Sequence, residues 1–475
     1  MKSIFKLAII IAVMSTATVS FADPPEGAAK PAEGAAQPAE TAKPAEPAKP
    51  AEEPAKPIAK IEPEAKIVKA PDAVPAKKAS QSGWKLSING FMRGDATYNL
   101  GRVFMIDSPM FAHPESATEF REKSLSFSAR FSRLKFTATA PEVSGFTPYG
   151  VIEGDFYGNL PDSGTSIRQS QFRMRLAYAA LKNKNFDIRF GNDWMVAAPN
   201  FANALEPFNL WGQGNLWMRY PQISVRSAFE LSTGLKLHIE GSVGQNMGND
   251  SPRSTVIPQG GIGESTGLPV VQGRAGVSFK NADMHVVVGG SASWQKLKLS
   301  EHGDATTAAA FEGSDDDEQT AYFIAADLMA SLKINKDITA TVTAEFYKGQ
   351  GAAMYWGAIL MGPVNITDTT TAGAGVANIV RSTGFFADLK VTLPLNFTFF
   401  AGLGMDKVKE EDVPDTTTSR ISNTMIYGGF NYSFKSDNKT WLILGAGASM
   451  LTTEFRGGAE DGKAKSFHLM AAIPF

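Results

Sequence analysis

The sequence predicts an all-β fold: a transmembrane, antiparallel up-and-down β-barrel of about 16 strands, preceded by a disordered segment rich in Pro, Ala, Lys and Glu. Three observations lead there. Across residues 84–475, apolar and polar residues alternate with period 2 in runs about ten long, the strand signal and the length a tilted membrane strand requires. Tight turns, such as Lys280-Asn281-Ala282 and Asn335-Lys336-Asp337, alternate with long polar or Gly-rich loops, such as Gln245 to Pro269, Lys296 to Gln319 and Lys348 to Ala377. That asymmetry belongs to barrels with short periplasmic turns and long external loops. Aromatic side chains (Trp84, Tyr98, Tyr322, Tyr347, Trp441, Phe475) sit at the ends of runs, where a membrane interface holds them.

Residues 1–22 place Lys2 and Lys6 around the start of a short apolar core, Leu7 to Met14, and end on the small residues Ser20 and Ala22. This is the pattern of a secretory signal peptide cleaved before Asp23, with an apolar run too short to span the membrane. Residues 23–83 hold 12 of the 27 prolines and set nine lysines against ten acidic residues. Proline fixes φ and blocks both ladders and helices, so an extended, semi-rigid periplasmic linker is expected. It is a solvated spacer or an arm that touches the cell wall or a periplasmic partner.

Strands are expected near residues 84–99, 124–138, 148–158, 168–181, 186–194, 216–229, 234–244, 270–280, 284–295, 320–334, 338–347, 379–391, 395–405, 422–434, 440–450 and 464–475. The 392 residues of 84–475 divided by 16 give 24.5 per strand and connection. An even count returns both barrel ends to one side, the periplasm, and this many strands enclose an aqueous channel. Trp84, Leu86, Ile88, Met92 and Tyr98 oppose Lys85, Ser87, Asn89, Arg93 and Asp95. Phe172, Met174, Leu176 and Tyr178 form one apolar row opposite Gln171, Arg173 and Arg175. The alternation slips between Arg130 and Arg133, which predicts a bulge. Pro221 falls inside the sixth strand, so that strand is bulged there or rises above the membrane rim. Gly349 to Thr367 carries no charge; it reads as an apolar loop packed against a neighbouring subunit, or as a misplaced strand.

Composition removes several function classes. There is no cysteine, hence no disulfide, Cys-held metal or thiol nucleophile. A net charge of −2 offers no overall basic field for nucleic acid. Hydrophobic residues at 43% are too few for a bundle of membrane helices.

If the apolar face meets outer-membrane lipid, the polar face lines water. Arginine concentrates between Arg93 and Arg226. The alternation turns Arg93, Arg173, Arg175, Arg189 and Arg219 inward, beside Asp95, Glu153, Asp155 and Asp187. Guanidinium forks bind carboxylate or phosphate in two-pronged fashion, and Arg-lined pores favour anions. The alternative is that these arginines pair with their neighbours and only hold the wall. The third loop, Met195 to Asn215, is apolar and aromatic, with Glu206 its only charge. It either folds into the lumen and narrows it or packs at a subunit interface.

The acidic run Asp315 to Glu318 reads as a solvated face; bridging cations among lipopolysaccharide phosphates is the sharper alternative. Catalytic motifs are weak. Gly263-Glu264-Ser265-Thr266-Gly267 fits G-x-S-x-G without a strand-to-helix elbow, and His238 and Glu240 share a face without an assignable nucleophile. No enzyme, cofactor or metal is expected.

FSRLKF (131–136), YGVIEGDFYG (149–158), FRMRLAYAAL (172–181), FDIRFGNDW (186–194) and NLWMRYPQISV (215–225) resemble segments of DcaP-like porins. That family comprises trimeric outer-membrane channels linked to dicarboxylates and other small anions. The resemblance implies that Arg133, Arg173, Arg175 and Arg219 supply an arginine-lined wall, that the chain forms a homotrimer, and that small anions are preferred. It covers roughly the first third of the barrel. The family's helical N-terminal arm is replaced here by the proline-rich linker. The expected function is passive diffusion of small hydrophilic solutes; the alternative is a structural outer-membrane barrel anchoring its arm.

Overall fold

The computed structural model describes residues 83–475 apart from 159–169, 247–261, 302–304, 368–369 and 438. The expected signal peptide and all of the linker up to residue 82 lie outside the described residues. Sixteen antiparallel strands build the barrel. They are β1 (Lys85–Leu100), β2 in two pieces (Lys123–Ser128 and Arg133–Thr139), β3 (Thr147–Asp155), β4 (Arg173–Lys182), β5 (Phe186–Trp194) and β6 (Arg219–Ser232). Then come β7 (Leu235–Gly244), β8 (Val270–Lys280), β9 (Met284–Lys298), β10 (Glu318–Lys333) and β11 (Thr339–Gln350). The last five are β12 (Arg381–Thr392), β13 (Phe397–Val408), β14 (Arg420–Ser436), β15 (Lys439–Phe455) and β16 (Gly462–Pro474). Each pairs with the next, and β16 returns to β1 in a register running from Phe91↔Pro474 to Leu100↔Lys465. Closure leaves no edge of unpaired backbone groups, the condition for a sheet to stand in hydrocarbon. Among the described residues no helix is long and apolar enough to cross a membrane.

Side-chain period fixes which face is which. On β16, Phe467, Leu469 and Ile473 are exposed, while Ser466, His468, Met470 and Ala472 between them are buried. The outer face is therefore apolar, and the side chains of the opposite row meet inside the barrel.

Three local expectations change, and for Pro221 one of two alternatives holds. The slip at Arg130 is a break in β2 rather than a bulge: residues 129–132 leave the ladder. The Ser132 hydroxyl replaces the missing peptide, accepting from Arg93 N at 2.9 Å and donating to Arg93 O at 3.1 Å. The apolar row of β4 is not continuous. Glu153 faces Leu176 while Gly154 faces Met174, so Arg175 is an extra residue and the alternation flips after it. Phe172 and Met174 are exposed on the outside, whereas Leu176 is buried and Tyr178 lies inside beneath Arg189. Tyr347 is no interfacial aromatic. It is wholly buried and donates to Asp406 Oδ1 at 2.6 Å. Pro221 stays in the ladder opposite Asn192. It is the third residue of β6, at the long-loop rim, where one missing donor is tolerated.

The core is made by loops that enter the barrel. L1 (residues 101–122), L3 (195–218) and the first part of L6 (351–367) bury Met110, Phe208, Trp211, Leu216, Trp217 and Tyr355 against wall residues such as Phe323 and Tyr347. The uncharged segment 349–367 is thus covered by loops of its own chain. L3 takes the first of its two expected courses and turns inward. Gly214 shows how tightly it lies on the wall. Its φ is +99°, and a Cβ there would sit 2.1 Å from Phe385 O and 2.4 Å from Met405 O, so only glycine fits.

Candidate functional site

The inner face of β2 to β6 gathers four arginines around two carboxylates. Arg173 grips Asp155 with both prongs, Nε to Oδ1 at 2.9 Å and Nη2 to Oδ2 at 2.7 Å. Arg175 spans both acids, Nε to Glu153 Oε1 at 2.8 Å and Nη1 to Asp155 Oδ2 at 2.7 Å. Residues 173 and 175 lie two apart on β4 and so share the side of the wall that carries Glu153 and Asp155 of β3. Asn192 Nδ2 caps the displaced Arg175 carbonyl at 2.7 Å. Arg133 stands 3.6 Å from Glu153, its guanidinium over the Phe91 and Phe131 rings.

Arg219 has no carboxylate within 4.0 Å among the described residues. Its guanidinium carbon lies 4.6 Å from the Trp194 ring and 5.6 Å from Trp217, with a buried Nη1 that finds no acceptor. It feels Arg133, Arg173, Arg175 and Asp155 electrostatically. The balance is four guanidiniums to two carboxylates. Exposure sharpens it: the Asp155 side chain is 0% exposed and Glu153 8%, while Arg133 keeps 22% and Arg173 21%. Solvent reaches the arginine side chains more than the acids.

The other two arginines singled out from the sequence stand apart. Arg93 pairs with Asp95 at 2.7 Å and donates to Leu205 O of L3 at 2.5 Å, so it holds the loop. Arg189 binds Asp187 and Asp193 at 2.8 and 2.9 Å. From there ion pairs continue along the wall. Asp193 meets Arg226 at 3.3 Å, Glu240 meets Arg226 at 3.8 Å and Arg274 at 2.8 Å, and Arg274 reaches Asp327 at 2.6 Å. The last contact crosses β9, and Gly289 permits it: a Cβ there would lie 2.6 Å from Arg274 Nη2. Arg226 and Arg274 occupy the same inward rows, where alternation alone marks them. Arg130 is less visible. It pairs with Asp107 of L1 over the Tyr157 ring, and its signal was the slip itself.

L3 runs from this wall around the opposite side, pinned by wall side chains. Gln272 Oε1 accepts Val196 N at 3.1 Å, and Ser291 Oγ accepts Ala198 N at 3.1 Å. Glu345 accepts Asn200 N at 3.1 Å, and Asp388 accepts both nitrogens of Asn203 at 2.6 and 2.7 Å. At the short-turn rim, a recess of about 680 Å³ is lined by Tyr149, Asp187, Arg189, Lys182, Lys184 and Glu142, among others.

Asp315 to Glu318 does local work: Asp317 accepts Ser300 N at 2.6 Å. Ser265 lies in a single short turn, Glu264–Thr266, and His238 pairs instead with Ser278 at 2.8 Å. Among the described residues no cluster of three His, Asp or Glu is arranged to hold a metal.

No protein-family model and no curated protein matches the sequence. Solved structures do resemble it. The outer membrane channel DcaP of Acinetobacter baumannii superposes with a TM-score of 0.56 at 17% identity, over 83% of this chain and 99% of that one. The OmpF of Salmonella typhi in complex with daunomycin gives 0.48 at 11% identity, over 83% and 98%. The anion-selective porin from Comamonas acidovorans gives 0.47 at 11% identity, over 82% and 100%. The first likeness supports the fold, a 16-stranded porin-type barrel.

Proposed function

We propose that this chain is an outer-membrane porin through which small hydrophilic solutes diffuse passively, with a preference for small anions such as dicarboxylates. The observation that carries the reading is the excess of four guanidiniums over two covered carboxylates on the inner wall, faced by the inward-folded L3. The pore-lining residues are then Arg133, Arg173, Arg175 and Arg219, with Glu153 and Asp155 holding them in place; Arg93 and Arg189 flank them. A planar guanidinium offers a carboxylate two parallel hydrogen bonds, and a fixed positive excess at a constriction raises local anion concentration. The same reading takes the chain as a homotrimer in outer-membrane lipid and lipopolysaccharide, with the linker on the periplasmic side.

Planar-bilayer recording across a KCl gradient tests this. Stepwise conductance with a reversal potential of anionic sign is expected, unchanged when residues 23–80 are deleted. A protein that inserts and never conducts would instead be a structural barrel anchoring its arm.

A further inference from the structure

L6 closes onto L3. Gly212 N donates to Trp356 O at 2.7 Å, and Trp217 N donates to Tyr355 O at 3.2 Å. The Trp211 and Trp356 rings stack at 3.9 Å between centroids, 6° from parallel.

The L6 backbone that makes these contacts is strained. Trp356, Ala358, Ile359 and Leu360 have φ of 64°, 51°, 50° and 59°. These are left-handed values that non-glycine residues avoid, β-branched isoleucine most of all. Such a run persists only where its surroundings over-determine it. Here both ends of the turn's dipoles are held. On the amide side stands the buried Asp406 of β13, which reaches the turn through the Tyr347 hydroxyl. Tyr347 links the two, donating to Asp406 and accepting from Ala358 N at 3.2 Å. On the carbonyl side stands Arg420, the first residue of β14. Its Nε donates to Ile359 O at 2.9 Å and its Nη2 to Leu360 O at 3.1 Å. The guanidinium carbon lies 4.1 Å from the Phe111 ring of L1. No carboxylate lies within 4.0 Å of Arg420 among the described residues; its charge is met by those two carbonyls and one aromatic face.

We propose that Arg420 and Asp406 are positioning residues that clamp the left-handed turn 356–360 onto L3, and that the joined loops, rather than L3 alone, set the size limit of the channel. The clamp itself is independent of transport; the size limit rests on the porin reading.

The absence of cysteine makes the test clean. In Gly212→Cys/Leu360→Cys the two side chains are aimed at each other, since a Cβ at 212 lies 3.8 Å from Leu360 Cγ, and the φ of +66° at 212 strains every variant alike. A disulfide should form on mild oxidation of the full-length protein in detergent. Adding Arg420→Met should slow its formation about tenfold, the least that losing one hydrogen bond to a charged group gives. Arg420→Lys should restore part of the rate. Without the cysteines, Arg420→Met should let larger sugars through in liposome swelling. Heat-modifiable migration confirms the barrel in each variant. Should Arg420→Met fail to fold, Tyr347→Phe removes the hydroxyl that Ala358 N and Asp406 share, and is read the same way. Unchanged disulfide formation in a folded variant overturns the clamp. Slower formation with an unchanged sugar limit in a conducting protein overturns the shared constriction. A wild type that never conducts, with the disulfide effect intact, overturns the porin reading and leaves the clamp standing.

Discussion

Arg219→Gln separates field from scaffold. Arg219 has no carboxylate partner among the described residues and rests on Trp194 and Trp217, so its removal orphans no buried acid. The local balance falls from four cations against two anions to three against two. At about 7 Å from the ion path, one unit charge in a water-like dielectric is worth about 0.6 kcal/mol. Losing it multiplies the cation's local weight by about 2.8 and divides the anion's by as much, so the permeability ratio moves about eightfold toward cations. The reversal potential across a dilute KCl gradient reads this directly. Raising both sides toward 1 M, where the Debye length is about 3 Å, should erase most of the change.

Arg175→Ala is the contrast. Its side chain is 3% exposed and bridges Glu153 and Asp155, and removing one partner of a buried pair costs about 3–5 kcal/mol. That variant should lose heat resistance along with selectivity. If Arg219→Gln folds like the wild type and leaves the reversal potential where it was, the positive excess is not what ions meet, and the reasoning fails.

Three further outcomes follow from the same geometry. Asp155→Asn leaves four cations against one anion, so anion preference should rise while the melting temperature falls, because Arg173 and Arg175 both lose a charged acceptor. Asp388→Asn removes the charge that holds both nitrogens of Asn203, and single-channel current noise should grow as L3 loosens. His113, in L1, is held down to about 4 by burial first and by the nearby charge of Arg420 second. A native value below the ordinary 6.5 means that the unfolded loop binds the proton first. The docking of L1 is therefore at full strength above about pH 6.5 and weakens as pH falls toward 4. Protease cleavage within L1 should rise across that window, and His113→Phe, which keeps the ring stacked on Phe120, should flatten the dependence.

The barrel was legible because its signal is repetitive. Strand ends expected at 186 and 194, or 270 and 280, are those observed, and the inward placement of Arg173, Arg175 and Arg189 followed from period alone. What period cannot carry is a local change of phase. The extra residue at Arg175 turns Tyr178 inward without any mark in composition, because leucine and tyrosine suit either face. Tyr347 misled for a related reason. An aromatic residue at a strand end fits a membrane interface, and nothing in its neighbours announces that Asp406, 59 residues on, waits inside. The pairing of the arginines was equally hidden. The sequence supplies the acids and the bases, but whether Glu153 meets Arg133, Arg175 or both depends on stagger between strands and on that same bulge.

Selectivity in such a wall follows from local excess rather than from the number of arginines. The ion pairs running from Asp187 to Asp327 set three arginines, Arg189, Arg226 and Arg274, against four acids, Asp187, Asp193, Glu240 and Asp327. Taken alone they lean negative. Arg93 with Asp95 and Arg130 with Asp107 cancel. Of these wall clusters the group around Asp155 carries an excess of positive charge, and there the acids are covered while the Arg133 and Arg173 side chains stay partly open. Charged side chains thus have two duties in this barrel. Most are cross-braces between strands in a chain that has no disulfide to offer. A few, unmatched, leave a field behind. A solute passing this wall meets one short cationic stretch beside ion pairs that lean negative, so a modest preference with ready release is the selectivity such an arrangement favours.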